Sequence, residues 1–274
     1  MKQTHIRILF QSICLLMLSG ALAAHAQNIF KAATTTMSAS TDWSATDGGT
    51  PGVAPSASTV GEFGTTPTAG NLSGMTLGAS MSLLGLQLDA TMAGPLTISA
   101  ANTLTLGTSG INMSAANQNA TLGCALTLGG AQNWNVVSPQ ILTVNGAVAI
   151  SSLLTINGTG AVTFGTTANT GAGGLTISSG TVTFGAAASA GTGTLTLGGG
   201  TLNIGAVTVA NAVSVTGSAT VVNTSSAGNL TFSSTFSGSG TMNLSEGSGS
   251  TVTFSSSGAF SSFTGTVNSL SEKA

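Results

Sequence analysis

The chain is 274 residues long and 41% hydrophobic, yet only 4% charged and 4% aromatic, with 39 glycines, no tyrosine and a formal charge of −2. An average soluble domain carries about a quarter charged residues, so this surface has to be built from Thr, Ser, Asn and Gly instead of ion pairs. Abundant, regularly placed apolar residues exclude disorder, and no segment after the leader approaches the roughly 20 unbroken apolar residues that span a bilayer.

Lys2 and Arg7 precede the apolar run from Ile8 to Leu18, and Ala24-His25-Ala26 places small residues where a signal peptidase reads. Residues 1–26 are therefore expected to be a secretory signal peptide cut before Gln27, with the mature chain secreted or held at the cell surface. Its removal takes both histidines and the only arginine, leaving Lys31 and Lys273 against six acidic residues, a formal charge of −4. Without a basic surface to neutralise phosphates, nucleic-acid binding is excluded. Cys124 remains as the one mature thiol, read as a small buried hydrophobe, with an intermolecular disulfide as the sharper alternative.

Residues 27–70 hold Lys31, Asp42, Trp43, Asp47 and Glu62 with Pro51, Pro55 and Pro67, and are expected to form a loop-rich N-terminal cap. Asp42, Asp47 and Glu62 are weighed as a calcium set, but their spacing fits no known loop and solvated loop acids are favoured. Trp43 and Trp134 are read as filling a core or sealing a cap, with stacking on sugar rings as the alternative.

Residues 71–270 repeat. From residue 141 onward, blocks of about twenty bring Leu142-Thr143-Val144, Val162-Thr163-Phe164, Val182-Thr183-Phe184 and Leu202-Asn203-Ile204 into line, and blocks starting at Val221 and Thr241 are expected in the same phase. A fixed period of this size marks a solenoid, and the period-two alternation inside each block marks strands. One inward stack is then Leu142, Val162, Val182, Leu202, Val222 and Met242. The next is Val144, Phe164, Phe184, Ile204 and Leu244, with Thr224 as its weak rung. Between them Thr143, Thr163, Thr183, Asn203, Asn223 and Asn243 are expected to point outward as a ladder. A second strand per coil is read at Leu154-Thr155-Ile156, Leu175-Thr176-Ile177, Leu195-Thr196-Leu197 and Val213-Ser214-Val215. The same word extends upstream to Met75-Thr76-Leu77, Leu96-Thr97-Ile98, Leu104-Thr105-Leu106 and Leu126-Thr127-Leu128. The expectation is an all-β parallel β-helix of about ten coils, with Gly and Ser at its corners. Residues 271–274 form a short tail. No cap is read at that end, so either the coil edge is open there or the natural protein continues.

Asp42-Trp43 followed by Pro51, Pro55 and Val60-Gly61-Glu62-Phe63, then Gln132-Asn133-Trp134-Asn135-Val136 with Leu142 to Ala147, and the stretch Phe236 to Thr241 with Val252-Thr253-Phe254 and Phe260 to Gly265, carry a family likeness. The chain resembles secreted bacterial proteins with autotransporter-associated β-strand repeats. The resemblance implies a right-handed parallel β-helix at a bacterial cell surface and no catalytic residues. It departs from the family's pattern in ending on neither a barrel nor a sorting tail.

The coil region holds no Lys, Arg or His base for a lyase, and Asp89 and Glu246 are expected on coils too far apart to act as a glycosidase pair. No catalytic, cofactor or metal site is expected. The leading expectation is a non-enzymatic structural or adhesive solenoid presenting Thr/Asn ladders to extracellular polysaccharide, to other cell-surface components or to itself. Ice or glycan binding by the Thr row is the alternative, and a fragment of a polysaccharide-active enzyme the third.

Overall fold

Alternating apolar residues stabilise a strand only if their shared face is buried, and here each strand finds that cover from the coils before and after it. In the computed structural model, which describes residues 26–247 and 249–270, the chain is nearly all β, with about ten stacked turns and parallel pairing. The expected signal peptide up to residue 25 and the tail 271–274 lie outside the described residues.

A complete coil visits three sheets in turn, though not every coil supplies all three strands. The first runs the length of the molecule, from Gln27–Lys31 through Thr59–Phe63, Met81–Leu88, Thr103–Met113, Gln132–Val136, Leu154–Asn157, Leu175–Ile177, Leu195–Leu197, Val213–Val215 and Phe236–Gly238 to Ser262–Phe263. The second has nine strands, Leu96–Ile98, Ala120–Leu122, Ile141–Val144, Ala161–Phe164, Thr181–Phe184, Thr201–Ile204, Ser218–Asn223, Thr241–Glu246 and Thr266–Ser269. The third was not expected from the sequence. It comprises Thr208–Val209, Asn229–Phe232 and Thr251–Phe254, and earlier in the chain Ala125–Leu128 and Val148–Ala149 take the same place in the coil order.

Between those two groups the third strand is missing, and buried polar side chains take over its hydrogen bonds. Asn169 accepts from the Val148 amide at 2.8 Å and donates to the Ser189 carbonyl at 2.6 Å. One coil later Asn211 donates to the carbonyls of Gly191 and Gly193 at 3.1 and 2.6 Å. A carboxamide offers both donors and an acceptor, so it satisfies backbone groups that a missing strand would leave orphaned.

The twenty-residue period holds where the inner column reads Leu142, Val162, Val182 and Leu202, all directly paired. The next partner of Leu202 is Val221, not Val222, so this coil is one residue shorter. A slip of one residue sends every side chain to the opposite face. Val221 and Leu244 therefore continue the Leu142 column, while Val222 turns outward and Met242 packs beyond it, paired with Ala219. The weak rung in the Val144 column is Asn223 rather than Thr224. In the first sheet the words Leu154-Thr155-Ile156, Leu175-Thr176-Ile177, Leu195-Thr196-Leu197 and Val213-Ser214-Val215 pair as read.

The loop-rich segment 27–70 already belongs to the stack, since Gln27–Lys31 pairs parallel with Thr59–Phe63, which pairs parallel with Met81–Leu88. Trp43–Ser44 then runs antiparallel along the outer edge of Gln27–Lys31 and closes it. Trp43 is wholly buried, edge-on to Phe63 at 5.8 Å, and its indole lies so close over Gly61 that a Cβ there would sit 2.8 Å from the ring. Close approach of this kind needs glycine, which explains Gly61 inside Val60-Gly61-Glu62-Phe63.

Gly158 turns the corner after Leu154–Asn157 at φ +96°, where a Cβ would collide with the Val136 carbonyl one coil below. Gly205 has no such constraint, its nearest neighbour being the Thr224 hydroxyl at 3.9 Å. Gly158→Ala is expected to lower stability by ~2–4 kcal/mol through backbone strain and displacement of the lower coil, and Gly205→Ala by less than ~1 kcal/mol. Denaturant midpoints of the two variants check this; equal midpoints would contradict the tight stacking at Gly158.

Candidate functional site

The outward face of the second sheet is the surface on which the expected ladder residues lie. In register, Thr97, Thr121, Thr143, Thr163, Thr183 and Asn203 form one file, with Val222 and Ser245 continuing it. The first six are half-buried, each lying between the matching residues of the coils before and after it where both are present. Thr97 and Thr121 extend the threonine run to five consecutive rungs. They were missed as ladder members because Thr97 to Thr121 spans 24 residues and Thr121 to Thr143 spans 22, outside the twenty-residue frame.

Two of the expected ladder residues lie elsewhere. Asn223 is 2% exposed and points inward, its carboxamide donating to the carbonyls of Gly228 at 2.9 Å and Thr251 at 3.2 Å and accepting from the Ser225 amide at 3.1 Å. The shortened coil at 202–221 is the cause, because it reverses the facing of the strand. Asn243 does face outward, but in the adjacent file of Ile141, Ala161, Thr181, Thr201, Thr220 and Asn268. Threonines stand side by side on one strand of the two files only at Thr181 and Thr183.

The face is almost free of charge. Glu246 is the one ionisable residue on the nine strands, and its carboxylate accepts from the Val252 amide at 3.0 Å. At the border of the face, where Ile141 is 39% exposed, a recess of about 220 Å³ is lined by Ser138, Pro139, Gln140, Thr159, Gly160 and Thr181. Another notch, of about 240 Å³, lies where the third strand is missing and is lined mainly by Ala187, Ala188, Ala210 and Thr192.

The ionisable groups gather in the cap, and they do not converge as a calcium set. Asp42 accepts from Thr34 and Thr36 hydroxyls at 2.7 and 2.8 Å and from the Ala39 amide at 2.9 Å. Burial pushes its carboxyl up, but these bonds and the nearby Lys31 charge outweigh it and hold Asp42 below the usual range. Asp47 is occupied by the amides and hydroxyls of Thr65 and Thr66. Glu62 accepts from Asn28 at 2.7 Å, yet burial first, and then the carboxylates of Asp89 and Asp47, raise its pKa. Among the described residues no three His, Cys, Asp or Glu side chains are grouped to hold a metal ion. The tryptophans are equally closed to sugars: both are fully buried, with Trp43 donating to the Met37 carbonyl at 2.6 Å and Trp134 to Gln132 at 3.0 Å.

Lys31 is 1% exposed, donates to Ala32, Thr34 and Asp42 oxygens, and lies 5.6 Å from the Trp43 ring centre. Burial lowers its pKa from 10.5 to about 8, against partial support from Asp42. Burial likewise raises the buried, unpaired Cys124 thiol from 9.0 to about 11.

Two predictions follow from these placements. Removing Asn223 strands two carbonyls and an amide in the interior, so Asn223→Ala is expected to cost ~1–3 kcal/mol, whereas Asn203→Ala on the outer face stays within ~0.5 kcal/mol. Equal denaturant midpoints would return Asn223 to the surface. The second concerns pH. Above about 8 the folded state has shed the Lys31 proton that the unfolded chain keeps until 10.5, so stability rises with pH across that window. Cys124 has the opposite sign, because from 9.0 to about 11 the unfolded chain loses a proton that the folded one retains. Denaturation midpoints should climb from pH 8 to 9 and then flatten, and in Cys124→Ala the climb should continue toward pH 10.5. A climb that stops at pH 9 in both proteins would contradict the assignment.

Comparison with models of protein families, with curated proteins and with solved structures finds no match to this chain.

Proposed function

We propose that the chain is a secreted, non-enzymatic structural or adhesive β-solenoid that makes its contacts through the Thr/Asn face of the second sheet. The observation that carries this reading is the file Thr97, Thr121, Thr143, Thr163, Thr183 and Asn203, six polar rungs in unbroken register on strands that carry no charged residue. Hydroxyls and carboxamides repeated at strand spacing meet repeated polar groups on an extended polysaccharide or cell-wall surface, directly or through shared water. The bordering recess beside Ile141 adds a concave feature next to that file. The resemblance to autotransporter-associated repeat proteins, and a leader with the pattern of a cleaved signal peptide, support export to the cell surface.

A non-enzymatic role is supported by the side chains available. Residues 71–270 contain no Lys, Arg or His, and Lys31 in the first coil is 1% exposed and already bonded to Ala32, Thr34 and Asp42 oxygens. The carboxyl nearest Asp89 is Glu62 in the buried cap, where Asn28 already holds it, rather than Glu246. A second reading, ice or glycan recognition, is favoured by the five-threonine run alone. The adjacent file weakens it, since Ile141 and Ala161 interrupt the hydroxyl pattern.

Co-sedimentation with insoluble cell-wall polysaccharide tests the leading reading. Thr143→Lys with Thr163→Lys is expected to weaken binding about tenfold or more, equivalent to ~1.4 kcal/mol, while Thr155→Lys with Thr176→Lys on the first sheet leaves it unchanged. Equal losses from both pairs, or release of soluble sugar by the protein, would overturn it. Thermal hysteresis and ice shaping abolished by the Thr143/Thr163 pair would instead establish the second reading.

A further inference from the structure

The corner between the first and second sheets shortens along the stack. Trp134 to Ile141 spans seven residues, Ile156 to Ala161 five and Ile177 to Thr181 four, although the residues at both ends of these corners pair in register. The longest corner, with Pro139 exposed on it, stands out beyond the shorter ones that follow, and the recess of about 220 Å³ beside Ile141 lies between them. Gly160 permits this close approach of successive corners, since a Cβ there would sit 2.7 Å from the Gln140 carbonyl oxygen.

In this recess the usual placement of polar and apolar side chains is inverted. Gln140 is 8% exposed, whereas the adjoining Ile141 is 39% exposed. The Gln140 backbone is satisfied: its amide donates to the Val137 carbonyl at 3.0 Å, and its carbonyl accepts from the Ala161 amide at 3.1 Å. Its side-chain carboxamide bonds to no described residue, whereas every other buried carboxamide among the described residues, on Gln132, Asn169, Asn211 and Asn223, is held by hydrogen bonds. Among the described residues the one sealed side-chain polar atom without a partner is Asn157 Oδ1. The Gln140 amide therefore keeps contact with open space, and the space it lines is this recess. A carboxamide buried without partners costs stability unless something from outside supplies them.

We propose that the recess seats one neutral sugar ring, with the Gln140 carboxamide bonded to two adjacent ring hydroxyls and the apolar face of the ring against Ile141 and Pro139. A carboxamide presents a donor and an acceptor side by side, and each of two neighbouring hydroxyls can both give and take a hydrogen bond, so the pair is met without charge. No charged side chain lines the recess, which matches a neutral ligand. Its volume is below the roughly 300 Å³ at which pockets for drug-sized ligands begin, which leaves room for one ring and not for a longer piece of chain. Thr181 lines the recess and stands on the same strand as Thr183, so a ring held there lies beside the Thr/Asn file, and the chain attached to it can run along that file. The ligand class rests on the polysaccharide reading of that face: the file supplies repeated contacts, and the recess selects among sugars.

Isothermal titration of the exported chain with the tetrasaccharides of β-linked glucose, mannose and galactose tests this, alongside co-sedimentation with insoluble polysaccharide. At least one tetrasaccharide is expected to bind. Gln140→Leu keeps the size of the side chain and removes its amide, and is expected to weaken that binding about tenfold or more. Its denaturant midpoint should equal or exceed the parent's, because no hydrogen bond within the protein is lost. Thr181→Val is expected to weaken binding several-fold and carries the test if Gln140→Leu misfolds, while Thr192→Val, at the notch where the third strand is missing, leaves it unchanged. Binding of none of the three sugars, equal binding by the parent and both recess variants, or a Gln140→Leu midpoint well below the parent's would each overturn the proposal. Equal binding by the recess variants, with co-sedimentation still lost on Thr143→Lys with Thr163→Lys, defeats the recess assignment and spares the face. A parent that fails to co-sediment but binds a tetrasaccharide through Gln140 upholds the recess and defeats the face.

Discussion

In a parallel coil stack the backbone N–H and C=O groups of the strands are satisfied by the coil above or below, and the rest of this molecule follows from that pairing. A surface with 4% charged residues is tolerable because ion pairs are not asked to stabilise anything in the coils. The hydrogen-bond ladder and the shared apolar columns do so, as a sum of contacts between adjacent coils. Wherever a strand drops out of the ladder a side chain has to replace it. The buried carboxamides of Asn169 and Asn211 stand at such places, and that of Asn223 does the same for the turn between Ser218–Asn223 and Asn229–Phe232.

Register is the second consequence. Like residues stack on like: Phe164 on Phe184 at 6.1 Å inside, and Thr143 on Thr163 on Thr183 outside. The repeat thus builds its core and its candidate binding file by the same alternation, one column facing in and the next facing out. A surface made this way is as rigid as the core beneath it. That suits recognition of extended, repetitive partners better than enclosure of a small molecule, and the open recesses on the molecule accord with it.

Legibility in the sequence tracked how strictly the coil length was kept. Between Leu142 and Ile204 the spacing is constant and both the inner columns and the outer file were readable from residue types alone. The one-residue contraction before Val221 was not, because Ala219-Thr220-Val221-Val222-Asn223 alternates plausibly in either phase, and only pairing to Leu202 decides which face is buried. Thr97 and Thr121 escaped for the converse reason, longer coils that shift the frame without altering the strand word. The third sheet was not legible as a separate one because Val148–Ala149 and Thr208–Val209 are too short for a period to show, while longer members such as Ala125–Leu128 alternate just as first-sheet strands do. The proximity of Glu62 and Asp89 depends on Thr59–Phe63 lying beside Met81–Leu88, and the cap's proline-rich loops concealed that strand.

The distribution of ionisable groups reflects the same physics. An ionised side chain turned inward in a mid-stack coil would have to be desolvated, which is costly unless it is paired. At the first coil one side is free, so loops can bring their own oxygens to the charge: Lys31 is met by Ala32, Thr34 and Asp42, and Asp42 in turn by Thr34, Thr36 and Ala39. Charge is thus concentrated at the first coil, and hydroxyls on the outward files of the second sheet.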